Sequence, residues 1–243
     1  MYPLFKKELT GFFSSLTGYI VIVVFLLSTG LFLWVFPGNM NLLETGYAHL
    51  SPFFALAPWI FLFLVPAVSM RLFTEEKKTG TLNLIFTKPI SDMKIVLAKY
   101  FAGLTIVILS IIPTLIYYYS VSRLASPVGN MDHGATIGSY FGLFFLAAIY
   151  VAIGVFSSSL TSNQIVAFII ALTLCFTFFV VFDSLATLMG NSYVGFYLRQ
   201  IGINEHYLSI SRGVIDSRDI IYFVSMVILF LLFTKVKLQS RKW

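Results

Sequence analysis

The chain has 243 residues, 58% hydrophobic and only 11% charged, with a formal net charge of +6 and a single cysteine. A soluble domain of this size carries roughly a quarter charged residues, so the composition excludes an ordinary water-soluble domain, and one cysteine excludes an intrachain disulfide. The missing charges are concentrated: there is no Asp, Glu, Lys or Arg between Asp132 and Asp183, nor in 17–36, 50–70, 100–122 or 220–234.

About 20 apolar residues rising 1.5 Å each cross the hydrocarbon of a bilayer. The run 134–182 is about twice that length and must fold back once. The pattern therefore predicts an all-α integral membrane protein, one domain over 1–243, with six transmembrane helices near 17–36, 53–70, 100–121, 139–157, 164–182 and 219–235.

Residues 1–16 read as an interfacial helix. Phe5, Leu9, Phe12, Phe13 and Leu16 fall on one helical face, and Lys6, Lys7, Thr10 and Ser14 lie opposite. Thr17–Phe36 then reads as a retained first span rather than a cleaved leader, ending in the turn signal Pro37-Gly38-Asn39. Pro58 and Pro66 in span 2 and Pro113 in span 3 each remove a backbone donor and favour kinks.

Between spans 2 and 3 lies the polar loop 71–99. Arg71–Lys78 can continue as helix, Gly80 permits a turn, and Thr81–Phe86 is a short apolar piece. Pro89 stops it, and Ser91 is placed to cap a new helix with Asp92 in its first turn. Arg123–Ser139 is turn-rich. The hinge 157–164, between spans 4 and 5, holds no charge, and Cys175 reads as a small packing residue. The outer segment 183–218 is too apolar for a solvated loop. It is expected either to re-enter the membrane, broken at Gly190 and Gly195, or to form a packed cap. Asp216 and Ser217 offer capping oxygens just before span 6.

The charged residues that remain set an orientation. Lys6, Lys7, Arg71, Lys77, Lys78, Lys88, Lys94, Lys99, Lys235, Lys237, Arg241 and Lys242 fall on one side of a six-span chain, and only Arg123, Arg199, Arg212 and Arg218 on the other. Basic residues beside short loops stay inside, so both termini are expected to be cytoplasmic in a plasma membrane, with the basic face toward anionic lipid. The net charge needs no nucleic acid to explain it.

Much chemistry is missing. All ten acidic residues map to loops or span edges, Asp183 lying nearest to a span interior, so an ion-coupled carrier lacks the intramembrane charge it usually needs. His49, His133 and His206 are scattered through outer segments and read as solvated, and no metal pair is spaced for a helix. Ser157-Ser158-Ser159 has no histidine in reach for nucleophilic catalysis. No phosphate-binding loop of the Gly-x-x-x-x-Gly-Lys type occurs, and no inverted repeat is visible. A transporter of this kind takes its energy from a partner. Otherwise it is a passive channel, or a scaffold that transports nothing.

Arg71-Leu-Phe-Thr-Glu75-Glu76-Lys77-Lys78-Thr79-Gly80-Thr81-Leu82, followed by Thr87-Lys88-Pro89-Ile90 and Lys99-Tyr100, resembles the first cytoplasmic loop of ABC type-2 export permeases. Ser211-Arg212-Gly213-Val214-Ile215-Asp216 with Arg218-Asp219-Ile220 resembles that family's entry into its last span. Pro127-Val128-Gly129-Asn130-Met131-Asp132 and Gly138-Ser139-Tyr140-Phe141-Gly142 are similar to one branch, the gliding-motility-associated permeases (GldF).

The resemblance implies a permease, not an enzyme, with no cofactor of its own. ATP and Mg belong to a separate ATP-binding cassette ATPase subunit (GldA-like), beside an auxiliary membrane subunit (GldG-like). It implies a homo- or hetero-dimer of permease chains around the substrate pathway. Glu75, Glu76, Lys77, Lys78, Gly80, Thr81 and Leu82 become the coupling residues. The two glutamates are expected to meet basic groups of the ATPase, while Leu82, Leu84 and Ile85 fill a groove on it. A membrane anchor for a motility or secretion complex, or a secondary carrier, are the alternatives.

Overall fold

The computed structural model describes residues 1–87, 89–190, 192–213 and 216–240. Lys88, Val214, Ile215, Arg241 and Lys242 from the patterns above lie outside the described residues. Among the described residues the chain is helical with no strand. Six helical stretches are long and apolar enough to cross a membrane: Leu16–Val35, Ser51–Thr79, Asp92–Leu124, His133–Leu160, Gln164–Leu188 and Ser217–Gln239.

The elements run as α1 (Tyr2–Ser14), α2 (Leu16–Gly30, extended by a π-helical turn to Val35), α3 (Ser51–Ser69), α4 (Arg71–Thr79) and α5 (Thr81–Phe86). They continue as α6 (Asp92–Ile111), α7 (Leu115–Leu124), α8 (His133–Leu160) and α9 (Gln164–Phe176). α10 (Phe182–Leu188), α11 (Tyr193–Ile201), α12 (Ile203–Ser211) and α13 (Ser217–Gln239) follow.

Local chemistry sets the ends. Asp132 accepts from the Ala135 N–H at 2.8 Å, Asn163 from Ile165 at 2.9 Å and Asp216 from Arg218 at 2.9 Å, satisfying donors that a helix start leaves orphaned. The Asn163 cap restarts the chain after α8 and completes the fold-back expected at 157–164. Ser91 precedes α6 in extended conformation, as expected, but its side chain makes no capping bond. Pro58 and Pro66 lie inside α3, and Pro113 lies in the short 3₁₀ turn Ile112–Thr114 that joins α6 to α7.

α8 is the central post, packed against α3, α6, α9, α12 and α13. Of its apolar stretch 78% is buried, against 22% for Gln164–Leu188. Small residues make this possible. A Cβ on Gly154 would lie 1.8 Å from Ser69 Oγ and 2.5 Å from Ser69 Cβ, and one on Gly138 would lie 2.8 Å from the Ile210 carbonyl oxygen. Close backbone approach between apolar helices is how association is driven where lipid removes the hydrophobic incentive. Ser157, Ser158 and Ser159 are buried, with hydroxyls donating to the Ile153, Val155 and Phe156 carbonyls at 2.9, 2.8 and 2.6 Å. These serines pack, and Cys175 is buried among its neighbours.

Among the described residues of the segment 183–218, three short helices, α10, α11 and α12, precede α13. Gly190, at φ +57°, turns the chain after α10. Gly195 lies within α11 rather than at a break. A Cβ there would meet the Gly190 carbonyl oxygen at 2.7 Å and that of Ala186 at 3.2 Å, so the glycine lets α10 and α11 close as a hairpin. α12 returns onto α8, and the Tyr207 hydroxyl donates to the Phe54 carbonyl at 2.7 Å.

His206, expected to be solvated, is instead 6% exposed. Its Nδ1 lies 2.6 Å from Asp219 Oδ1 and its Nε2 lies 3.0 Å from the Gln200 carbonyl oxygen. The ring stacks on Tyr222 at 3.9 Å. The correction has a physical cause: a buried carboxylate at the first turn of α13 requires a polar partner, and α12 supplies it.

Gly154→Val is expected to cost about 1–3 kcal/mol by overpacking the α3–α8 contact and to lower the melting temperature of the detergent-purified protein. Gly11→Ala, at a position with nothing within 4 Å, is expected to leave it unchanged or raised. Equal melting of Gly154→Val and wild type would contradict this packing.

Candidate coupling site

At the end of the bundle that carries α1, the helix bearing the predicted coupling residues meets two other elements. α1 packs across α6, and α4 continues the second span beyond its apolar part. Four charges from these three helices converge. Lys7 Nζ donates to Glu76 Oε1 at 2.6 Å, and Lys99 Nζ donates to Glu8 Oε1 at 2.9 Å. Lys99 Nζ also lies 2.7 Å from Glu76 Oε2, outside hydrogen-bond alignment, so that contact is an ion pair by charge and proximity. Two lysines and two glutamates balance.

Lys99 is fully buried and Glu76 is 6% exposed. Lys99 further donates to the Leu72 carbonyl and sits 5.0 Å from the centre of the Phe73 ring. A buried ammonium is tolerated only with counter-charge and acceptors around it, and Glu76, Glu8 and Leu72 provide them.

This arrangement reorients α1. Its inward face is Leu4, Glu8 and Phe12, spaced four apart, while Phe5, Leu9 and Phe13 are half-buried beside it and Leu16 is exposed. The apolar face expected from the sequence is therefore rotated, because Lys99 draws Glu8 to its centre. Burial pushes the Glu8 carboxyl above its ordinary range, and Lys99 offsets this only in part. Burial also works against the Lys7 ammonium, but Glu76, Glu8 and Glu75 outweigh it and hold its pKa above the usual lysine value. A carboxyl raised in the folded state contributes stability below its unfolded value and loses it as pH climbs through the raised one. Glu8 taken alone weighs toward folding in acid, whereas Glu76, whose charged form burial disfavours but Lys99 and Lys7 hold below its ordinary range, weighs the opposite way.

The predicted coupling residues divide into two sets. Glu76, Lys77 and Leu82 turn inward: Glu76 as above, Lys77 by donating to the Ser159 carbonyl at the end of α8, and Leu82 by burial. Glu75, Lys78, Gly80 and Thr81 are exposed, together with Asn83 and Leu84. Glu75 pairs with Arg71 at 3.3 Å. Arg71 in turn donates to Ser15 Oγ at 3.0 Å and Thr17 Oγ1 at 2.5 Å, across the α1–α2 joint. Gly80 closes α4 at φ +73° with its N–H on the Lys77 carbonyl at 3.3 Å. Nothing crowds a Cβ there, so the left-handed backbone alone demands glycine.

The sequence model of a family described as ABC-2 family transporter protein matches residues 4–236. The chain belongs to that family. No curated protein matches the sequence. This ABC-2 chain is accordingly the permease, the membrane component of an ABC transporter. A permease of this family implies a partner ATPase subunit. The sequence singles out Glu75, Glu76, Lys77, Lys78, Gly80, Thr81 and Leu82 as one polar stretch, and the structure places that stretch on α4 and the start of α5. The sequence gives no sign that Lys7, Glu8 and Lys99 meet Glu76, because these partners lie far apart along the chain.

Glu76→Gln leaves Lys99 and Lys7 facing only Glu8, and is expected to cost about 3–5 kcal/mol. Glu8→Gln, which removes a carboxylate that burial already disfavours, is expected to cost about 1–2 kcal/mol. Thermal melting in detergent at neutral pH checks the order, and a larger loss for Glu8→Gln would contradict it.

Proposed function

We propose that this permease receives its power stroke at the turn between α4 and α5, where a nucleotide-driven ATPase docks on Glu75, Lys78, Thr79, Thr81, Asn83 and Leu84. The observation that carries this reading is the division of the coupling stretch. An exposed, mixed-charge edge with Leu84 65% exposed sits on a base whose charges are paired inside the chain. A lever needs a free contact face and a rigid root, and rigid placement of contact residues is what lets a docking surface transmit motion. ATP and Mg act in the partner, which closes on nucleotide and pushes this turn. Two permease chains, identical or related, line the pathway between them.

The orientation belongs to the same proposal. Nine basic residues among those described lie at this end: Lys6, Lys7, Arg71, Lys77, Lys78, Lys94, Lys99, Lys235 and Lys237. Arg123, Arg199, Arg212 and Arg218 lie at the other. This bias supports a cytoplasmic placement of both termini and of the coupling turn. The finer assignment to the gliding-motility branch, with GldA-like and GldG-like partners, rests on the resemblance of 127–132 and 138–142 alone.

Reversing Glu75 and truncating Leu84, as Glu75→Lys with Leu84→Ala, is expected to reduce co-purification of the ATPase at least tenfold. Membrane insertion is expected to be unchanged, and stability to fall by no more than about 1 kcal/mol, the contribution of an exposed pair such as Glu75–Arg71. Reversing Glu76 as well would break the internal ion pairs and confuse folding with docking. Unchanged co-purification and unchanged stimulation of ATP hydrolysis would overturn this placement of the docking surface.

A further inference from the structure

At the far end of the bundle from the coupling turn, a cavity of about 490 Å³ opens between α3, the turn joining α9 to α10, and α12. This volume lies within the range that accepts a small organic molecule. Four aromatic side chains line the cavity, Phe54 and Trp59 from α3, Phe179 from the α9–α10 joint and Tyr207 from α12, beside serines of α3, α8, α10 and α12. Trp59 and Phe179 meet edge to face at 5.9 Å. The Tyr207 hydroxyl is committed to the Phe54 carbonyl, so Tyr207 offers the cavity its ring.

One charged side chain lines this cavity, and it is Asp183. Asn204 Nδ2 donates to Asp183 Oδ2 at 3.2 Å and fixes the carboxylate against α12. Among the described residues no lysine, arginine or histidine pairs with it. A carboxylate at the end of a membrane span with no counter-ion in its own chain is a functional signal, because such charges are otherwise paired.

The chemistry selects a class of ligand. An anion meets repulsion and no donor cation. A divalent metal needs several oxygen or nitrogen ligands, and no group of three His, Cys, Asp or Glu side chains converges among the described residues. A monovalent organic cation with an apolar body matches the carboxylate and the aromatic walls together. Its ammonium head pairs with Asp183 and lies against aromatic faces that attract cations, while its chain or ring occupies the space between Phe54, Trp59 and Phe179.

We propose that this cavity binds a cationic amphiphile, a protonated amine or quaternary ammonium carried on an alkyl or aryl body, and that this is the class of cargo the permease handles. The cargo role rests on the exporter reading above, whereas the binding itself does not.

The test uses the purified full-length chain in a non-ionic detergent, without ATPase. Two fluorescent probes differ only in the head: a trimethylammonium alkane, and the same molecule with a tert-butyl group in its place. Wild type is expected to bind the cation at least tenfold more tightly than the neutral isostere. Asp183→Asn keeps an acceptor for Asn204 and is expected to abolish that preference, while Asp183→Glu retains it. Equal binding of the two probes by wild type overturns the proposal and requires no variant. A preference that survives Asp183→Asn overturns it also. Because no ATPase is present, failed ATPase docking would leave this result standing, and failed probe binding would leave the docking result standing.

Discussion

A lysine with no exposed surface at the root of the third span governs the architecture of the basic end. Lys99 cannot remain charged there without carboxylates, and the chain brings two, Glu76 from α4 and Glu8 from α1. Each comes from a different element, so satisfying one ammonium fixes three helices to one another. Arg71 adds a second tie by holding the α1–α2 joint through Ser15 and Thr17 while pairing with Glu75. Lys77 extends the link to the end of α8. Breaking any member of a buried charge cluster leaves an uncompensated charge, so the cluster is locked more firmly than its individual contacts suggest.

That lock gives the proposed coupling its physical sense. The Gly80 turn projects from a root tied to α1, α6 and α8, so force applied at Leu84 is delivered to α1 and to the third and fourth spans together. The central post then matters. α8 contacts its neighbours through glycines and serines at near-backbone distance, and such interfaces transmit displacement rather than absorbing it. The aromatic cavity with Asp183 lies at the opposite end of this post, beside α3, the helix that continues into α4.

The six spans were legible because hydrocarbon thickness imposes a length and excludes charge, and both constraints are local. Which span lies at the centre was not legible from apolarity. Gln164–Leu188 has the higher mean hydropathy, 2.9 against 2.1 for His133–Leu160, yet it is far less buried. Lipid and protein are equally apolar surroundings, so hydropathy ranks spans by solubility in oil and not by position. The signal for α8 was its small residues, from Gly138 and Gly142 to Gly154. The candidate site was half readable. Gly80 announced its turn, but Glu75 and Glu76 are adjacent on a helix and point about 100° apart. Only the distant Lys99 decides which of them is inside. His206 gave no local hint of burial, since its partner Asp219 lies across a turn on another helix.

The central claim is that α1 and the coupling turn move as one body. Spin labels at Lys6 on α1 and Asn83 on α5, both exposed, allow their separation to be read by pulsed electron resonance in the assembled transporter. The account predicts the same distance distribution with and without ATP bound to the ATPase, while a label pair from Asn83 to Tyr193 at the opposite end of the bundle shifts. A nucleotide-dependent change between Lys6 and Asn83 would contradict it.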